Sequence, residues 1–213
     1  SSYARSKNIL TVSSGVETGS RDRALEEIDR QLKAVHTGDW RINNAHPGGL
    51  EDVAAAVRDS GMEFLLWFEP ERVRRGTPIS LEHPEYFIEV TDREDTDKDN
   101  LLLNLGNEDA WRYCFDFISK KIERLGISCY RQDFNFLPIS YWRANDSEDR
   151  QGITEIKHIL GLYRLWDALR EKFPYLIIDN CASGGRRIDI ETMHRAVPLW
   201  RSDMACPANY PSN

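Results

Sequence analysis

Apolar positions recur along the chain in two rhythms. Leu25, Ile28, Leu32 and Val35 are spaced for one face of a helix, which predicts a helix over 22–35. A second helix, LEDVAAAVRDS, follows Pro47-Gly48-Gly49 and ends at Gly61. Amphipathic spacing predicts further helices over 108–124, stopped by Gly126, and over roughly 153–172, with a short one around DIETMHRAV. Between them lie short apolar or alternating runs, MEFLLWF, LLLNL, ISCYRQDFNF, LIIDNCASGG and VPLW, which predict strands. TDREDTDKDN reads as a solvated excursion, and Pro138 with ANDSEDRQG as a long loop.

Strand–helix–strand repetition implies parallel strands joined by crossovers. The unusual residues collect at one end of those strands: Glu69 and Glu71, Asp133 and Asn135, Asp179 and Asn180, then Ser202 and Asp203. An open doubly wound sheet gathers such groups only around a switch point, whereas a parallel barrel accepts one or two from each strand at its C-terminal edge. The expected fold is therefore α/β, of the (β/α)8 TIM-barrel type. At 213 residues the chain is shorter than the ~250 typical of a whole barrel. It is read as one partial barrel domain, 1–213, holding about five to six βα units. The alternation in Cys129–Phe136, CYRQDFNF, puts Arg131, Asp133 and Asn135 on one face. Bare carboxylates are costly against a dry core, so this face is expected to look into the barrel mouth.

Composition narrows the function. With 30 % charged residues and a net charge of −7, neither nucleic acid nor an anionic membrane is expected as a partner. No apolar run approaches a membrane span, and SSYARSKNIL lacks a signal-peptide core. Cys114, Cys129, Cys181 and Cys206 form no CxxC pair, and the five histidines show no HExxH spacing. Buried free thiols in a reducing, cytoplasmic compartment, with neither metal nor cofactor, are the expectation.

Carboxylates without metal ligands suggest acid–base or nucleophilic work. Asp133 is the better nucleophile candidate, because Arg131 on the same strand face would stabilise its anion. Asp203 follows another apolar run. Two such carboxyls facing a sugar fit retaining glycoside hydrolysis, one attacking the anomeric carbon and the other handling the proton. Trp40, Trp67, Trp142 and Trp200 offer flat faces for sugar C–H groups. Plainer roles compete. Strand-end aspartates serve as turn or cap residues, and tryptophans fill cores. Gly184-Gly185-Arg186-Arg187 could be a phosphate nest, Glu71 and Arg72 a pair on a solvated loop, and His158 and His194 surface residues of helices.

The ordered series HPGGL, GMEFLLWFEPERV, HPEYF, LLLNLGN, YRQDFN and NCASGGRRIDIETMHRAVPLWRSD resembles the catalytic barrel of glycoside hydrolase family 36, the α-galactosidases, over roughly residues 36–206. The resemblance implies removal of terminal α-linked galactose from oligosaccharides through a covalent glycosyl-aspartate, without a metal. Asp133 stands at the family's nucleophile position and Asp203, in WRSD, at its acid/base position. Trp67 and Trp200 match pocket-lining residues, and Cys181 and Gly184 match the turn near the sugar 2-hydroxyl. Asn135 of YRQDFN and Asp39 and Trp40 of the GDW segment join the expected sugar contacts. Arg131 stands where many members carry a lysine, which keeps the charge but changes the donor geometry. The aspartate-rich strand end that grips the 4- and 6-hydroxyls in the family has no counterpart in VSSGVETGSRDRALEEIDRQLKAVHT. Related activities therefore stay open, namely α-N-acetylgalactosaminidase or α-galactosyl transfer, as does a non-catalytic carbohydrate-binding or scaffold remnant. Uncovered strand edges would also suit a homo-oligomer.

Overall fold

The computed structural model describes residues 9–12, 49–90 and 99–205. The helix predicted over 22–35, Asp39, Trp40, most of the acidic excursion and Cys206 lie outside them. In chain order the elements are β1 (Ile9–Val12), α1 (Glu51–Asp59), β2 (Glu63–Phe68), β3 (Arg72–Arg74), α2 (Pro78–Glu82), β4 (Phe87–Ile88) and β5 (Asn100–Leu103). They continue with α3 (Glu108–Leu125), β6 (Cys129–Gln132), α4 (Ile139–Asn145), α5 (Ile153–Lys172), β7 (Ile177–Asn180) and α6 (Ile190–Arg195).

Strands β1, β2, β6 and β7 form one parallel sheet in that order. Val197 lies beside Asp179 as a single parallel bridge, so the predicted strand VPLW only begins to extend the sheet. LLLNL departs from expectation more sharply. It forms a strand, β5, but pairs antiparallel with β3 and β4 in a separate three-stranded sheet. The predicted long loop after Pro138 contains the short helix α4. Among the described residues no helix is long and apolar enough to cross a membrane.

Alternation along the parallel strands sorts the side chains. Phe64, Leu66, Tyr130 and Ile178 enter the main core with Ile118, Ile122, Leu165, Trp166 and Leu169 of α3 and α5. The opposite face carries Trp67, Arg131 and Asp179, directly in register. Helix α3 is fixed at both ends: the Asn107 side chain accepts from the Asp109 and Ala110 amides at 2.9 and 3.2 Å, and Gly126 closes it with φ 62°. Beyond β6 the alternation persists, and Phe134 and Phe136 join Ile88, Leu102, Tyr141 and Trp142 in a second core under the small sheet.

One buried polar cluster ties these parts together. Glu71, fully buried where the chain leaves β2 for the small sheet, accepts from Arg187 Nη1 at 2.6 Å and from Gln132 Nε2 at 2.8 Å. Its other oxygen lies 2.9 Å from His158 Nε2, while Gln132 Oε1 accepts from Tyr130 and Trp166 at 3.0 and 2.7 Å. The expected Glu71–Arg72 pair is therefore wrong. Arg72 bonds Glu69 instead, at 2.6 Å, and His158 is buried rather than on the surface. The sequence reading failed because Glu71 finds its cation 116 positions away. Burial alone would raise the Glu71 carboxyl, but Arg187 and His158 outweigh it and hold the group at about 2. The folded value lies below the ordinary 4.5, so this stabilisation is present above that pH and is lost as pH falls towards 2.

Replacing Arg187 by Met strands a carboxylate inside the protein. Urea unfolding at pH 7 should show a loss of ~3–5 kcal/mol, and that loss should shrink in acid as Glu71 protonates in the variant. An unchanged denaturation midpoint would refute the assignment of Arg187 as the balancing charge.

Candidate active site

The polar face of CYRQDFNF sits where β6 ends. Asp133 continues the ladder, its amide donating to Phe68 O at 2.8 Å, and Cys181 does the same on β7 through Gln132 O at 2.9 Å. Two successive rows therefore face the same side, Trp67–Arg131–Asp179 and then Glu69–Asp133–Cys181. The Asp133 carboxylate accepts from Trp67 Nε1 at 3.1 Å and from the Phe134 amide at 2.8 Å. Burial would push its pKa up, but hydrogen bonds from Trp67, the Asn135 side chain, the Phe134 amide and the Cys181 thiol bring it below the ordinary value. Asp133 is thus an anion at neutral pH, held by neutral donors.

Arg131 does something other than expected. Its guanidinium pairs with Asp179 across β6 and β7 rather than with Asp133 on its own strand. Directly opposed residues in a sheet sit closer than residues two apart along one strand, so the cross-strand carboxylate wins. Asp179 is fully buried and also accepts from the Leu199 amide at 2.9 Å. Burial raises the Asp179 carboxyl, and Arg131 and Leu199 only partly oppose this. Glu69 is raised for the same reason despite Arg72, and its Oε1 accepts from the Asn135 amide at 2.6 Å.

The turn after β7 closes the site. Arg186 donates to Ala182 O at 3.0 Å, Phe134 O at 3.1 Å and Phe136 O at 3.3 Å, lashing the turn to the loop that follows Asp133. Ser183 Oγ donates to Asn135 Oδ1 at 3.0 Å. With Arg186 on carbonyls and Arg187 on Glu71, the two arginine side chains of the GGRR segment are committed to the protein itself. Gly184 has φ +81°, and a Cβ there would stand 2.9 Å from the Asp203 amide nitrogen and 3.0 Å from Ser202 Cα. A side chain at 184 would push away the segment that bears Asp203. Asp203 is exposed, and its Oδ1 accepts from Trp200 Nε1 at 2.9 Å.

The structure brings together Trp67, Arg131, Asp133, Asn135 and Cys181, and it sets Gly184 against the chain of Asp203, with Trp200 bonded to that acid. Trp142 is packed in the second core, while Asp39 and Trp40 lie outside the described residues. The sequence reading noticed Glu69 and Asp179 at strand ends without placing them in the site; their alternation with Trp67 and Cys181 was the available signal. Cys114, Cys129 and Cys181 are buried free thiols, and burial raises Cys181 to about 11, so it stays protonated.

Residues 28–209 match the melibiase family. The chain is 30 % identical to alpha-galactosidase AgaA of Geobacillus stearothermophilus over 168 residues, which is 78 % of this chain and 23 % of that protein. It is 31 % identical to alpha-galactosidase C of Emericella nidulans over 176 residues, 78 % and 22 % of the two chains. It superposes on the alpha-galactosidase from Lactobacillus brevis with a TM-score of 0.73 at 25 % identity, covering 91 % of this chain and 29 % of that one. A glycoside hydrolase family 36 alpha-galactosidase of Geobacillus stearothermophilus, solved in complex with stachyose, superposes with a TM-score of 0.68 at 29 % identity, covering 78 % and 23 %. The chain thus spans about a quarter of the length of these relatives, and its parallel sheet is an arc of their TIM-type barrel.

Removing one neutral donor should show how the low pKa of Asp133 is maintained. Trp67→Phe keeps a flat ring but loses the indole N–H, so Asp133 should titrate at higher pH than in the unaltered protein, as read from the carboxyl carbon in labelled-aspartate NMR. A titration that stays put would mean the indole bond contributes nothing to the anion.

Proposed function

Since this chain belongs to the melibiase family, the α-galactosidases of glycoside hydrolase family 36, we propose that it carries the reaction centre of a retaining α-galactosidase, within one barrel domain spanning 1–213. The single observation that supports this best is that one turn serves both acids. The Cys181 thiol bonds Asp133, and Gly184 abuts the backbone of Asp203.

In this reading the Asp133 carboxylate attacks the anomeric carbon of a terminal α-galactoside. The bond from that carbon to the leaving oxygen breaks as the Asp203 carboxyl gives that oxygen its proton. A β-linked glycosyl-aspartate forms on Asp133. Asp203, now a carboxylate, takes a proton from water as the water oxygen attacks the same carbon. The ester bond to Asp133 then breaks, releasing galactose with its α configuration and returning both acids to their starting states. Asp133 is suited to the first role because its charge is held by neutral donors, which leave it nucleophilic. Exposed Asp203 is suited to exchange protons with leaving group and water. Trp67 and Trp200 would flank the sugar, with Asn135, Cys181 and Arg131 contacting its hydroxyls. Oligosaccharides such as the stachyose bound by the Geobacillus relative are the substrate class this suggests.

Asp133→Ala should lower kcat for an aryl α-galactoside by about 10⁴-fold or more while the far-UV CD spectrum stays unchanged. Azide should then occupy the space of the missing carboxylate and yield β-galactosyl azide, the single-displacement product. Undiminished turnover by Asp133→Ala without azide would sink the assignment.

A further inference from the structure

The Arg131–Asp179 pair lies within electrostatic reach of Asp133, and the ion pair that Arg131 forms is with Asp179. The pair has a geometry that the reaction scheme leaves unused. Arg131 has two carboxylates within its neighbourhood: Asp133, two residues along β6, and Asp179, directly opposite on β7. It bonds Asp179. The second oxygen of Asp179 is occupied by the Leu199 amide at 2.9 Å, in the segment that leads to Trp200 and Asp203. The Asp179 side chain is 1 % exposed and that of Arg131 17 %, so neither swings freely into water.

We propose that Asp179 is a positioning residue for the nucleophile: it engages Arg131 across β6 and β7 and so keeps the guanidinium off Asp133. The inference rests on the reading of Asp133 as the nucleophile. A guanidinium bonded directly to that carboxylate would stabilise the anion in the ground state and hold its lone pairs away from the anomeric carbon. Diverted to Asp179, the same cation remains at the site with unengaged N–H groups for sugar hydroxyls. Every other group around Asp133 fits this division. Trp67 from β2, the Phe134 amide, the Asn135 side chain and the Cys181 thiol are neutral donors. Glu69 is neutralised by Arg72 at 2.6 Å. Arg131 shares the strand face of Asp133 and is a cation that could quench it, and Asp179 is the group that occupies it.

The test is Asp179→Asn in the intact protein, which keeps the shape and removes the charge. Released from β7, Arg131 should turn to Asp133. The Asp133 carboxyl should then titrate about one pH unit or more lower in labelled-aspartate NMR. The acid limb of kcat/KM for an aryl α-galactoside should move down with it, and kcat should fall. Losing a neighbouring negative charge also lowers Asp133 directly, so the same substitution is repeated in an Arg131→Met background. There only that direct part should remain, so the downward shift should be clearly smaller than in the single variant; a shift as large in that background as in the single variant, or none in the single variant, overturns the proposal. If Asp179→Asn does not fold, Arg131→Met alone decides. With the guanidinium committed to Asp179, its loss should move Asp133 by less than about half a unit, and a rise of about one unit or more would show that it already acts on the nucleophile. Failure of the parent reading looks different: no α-galactoside turnover by the unaltered protein, or an active Asp133→Ala, while the NMR titrations still decide the role of Asp179.

Discussion

The structure around the site depends on one buried charge being balanced. Glu71 sits at the point where the chain leaves a barrel strand for the small antiparallel sheet, and its backbone carbonyl accepts the Leu103 amide there at 2.9 Å. Its carboxylate can stay in that dry position only because Arg187 reaches it from the turn after β7. Gln132 and His158 complete its shell from β6 and α5. A single side chain therefore fixes four separate pieces of chain relative to one another: the end of β2, the end of β6, the turn after β7 and helix α5. The cluster lies on the helix side of the sheet, and the residues of the candidate site lie on the opposite side. Gln132 and Asp133 are neighbours in sequence, one holding the scaffold and the other facing the candidate site.

Electrostatic roles are divided in the same way. Cations are used for fixed purposes: Arg187 for Glu71, Arg72 for Glu69, Arg186 for backbone carbonyls and Arg131 for Asp179. Among the described residues the Asp133 carboxylate accepts hydrogen bonds only from neutral donors. Neutral hydrogen bonds lower a carboxylate pKa less than a salt bridge does, and they also neutralise less of its charge. An attacking group has to remain an anion at working pH without being paired so tightly that attack loses the pairing energy. The arrangement at Asp133 suits the role proposed for it on both counts.

Much of this was legible in the sequence, for identifiable reasons. Helical spacing placed α3 and α5 almost to the residue, because their apolar faces and the stops at Asn107 and Gly126 act locally. Period-two alternation in CYRQDFNF separated Phe134 and Phe136 from Asp133 and Asn135, since a strand has only two faces. What failed was whatever depends on contacts across long separations. LLLNL is as apolar as a barrel strand, and nothing local says that it pairs antiparallel in another sheet. Glu71 next to Arg72 looked like a surface pair because the partner actually used comes from the turn after β7. His158 looked like a surface residue because one histidine in a helix does not reveal which buried acid waits opposite. Arg131 looked like the natural partner of Asp133 because Asp179 is distant in sequence and directly beside it only in the sheet.

The turn 181–185 explains why glycine and serine stand at its centre. Ser183 adopts φ 45° and Gly184 φ 81°, two successive residues in the left-handed region. That backbone curls tightly enough for the Ala182 amide to bond Gly184 O at 2.9 Å. The curl brings Gly184 against Asp203 and Gly185 against the Arg201 carbonyl, where a Cβ would stand 2.5 Å from the oxygen. Strain of this kind persists only where surrounding contacts over-determine it. Here Arg186 and Arg187 supply those contacts, pulling the turn onto the loop after Asp133 and onto Glu71. The buried salt bridge thus holds a strained turn in place, and the turn in turn sets the spacing between the chain segments of the two acids.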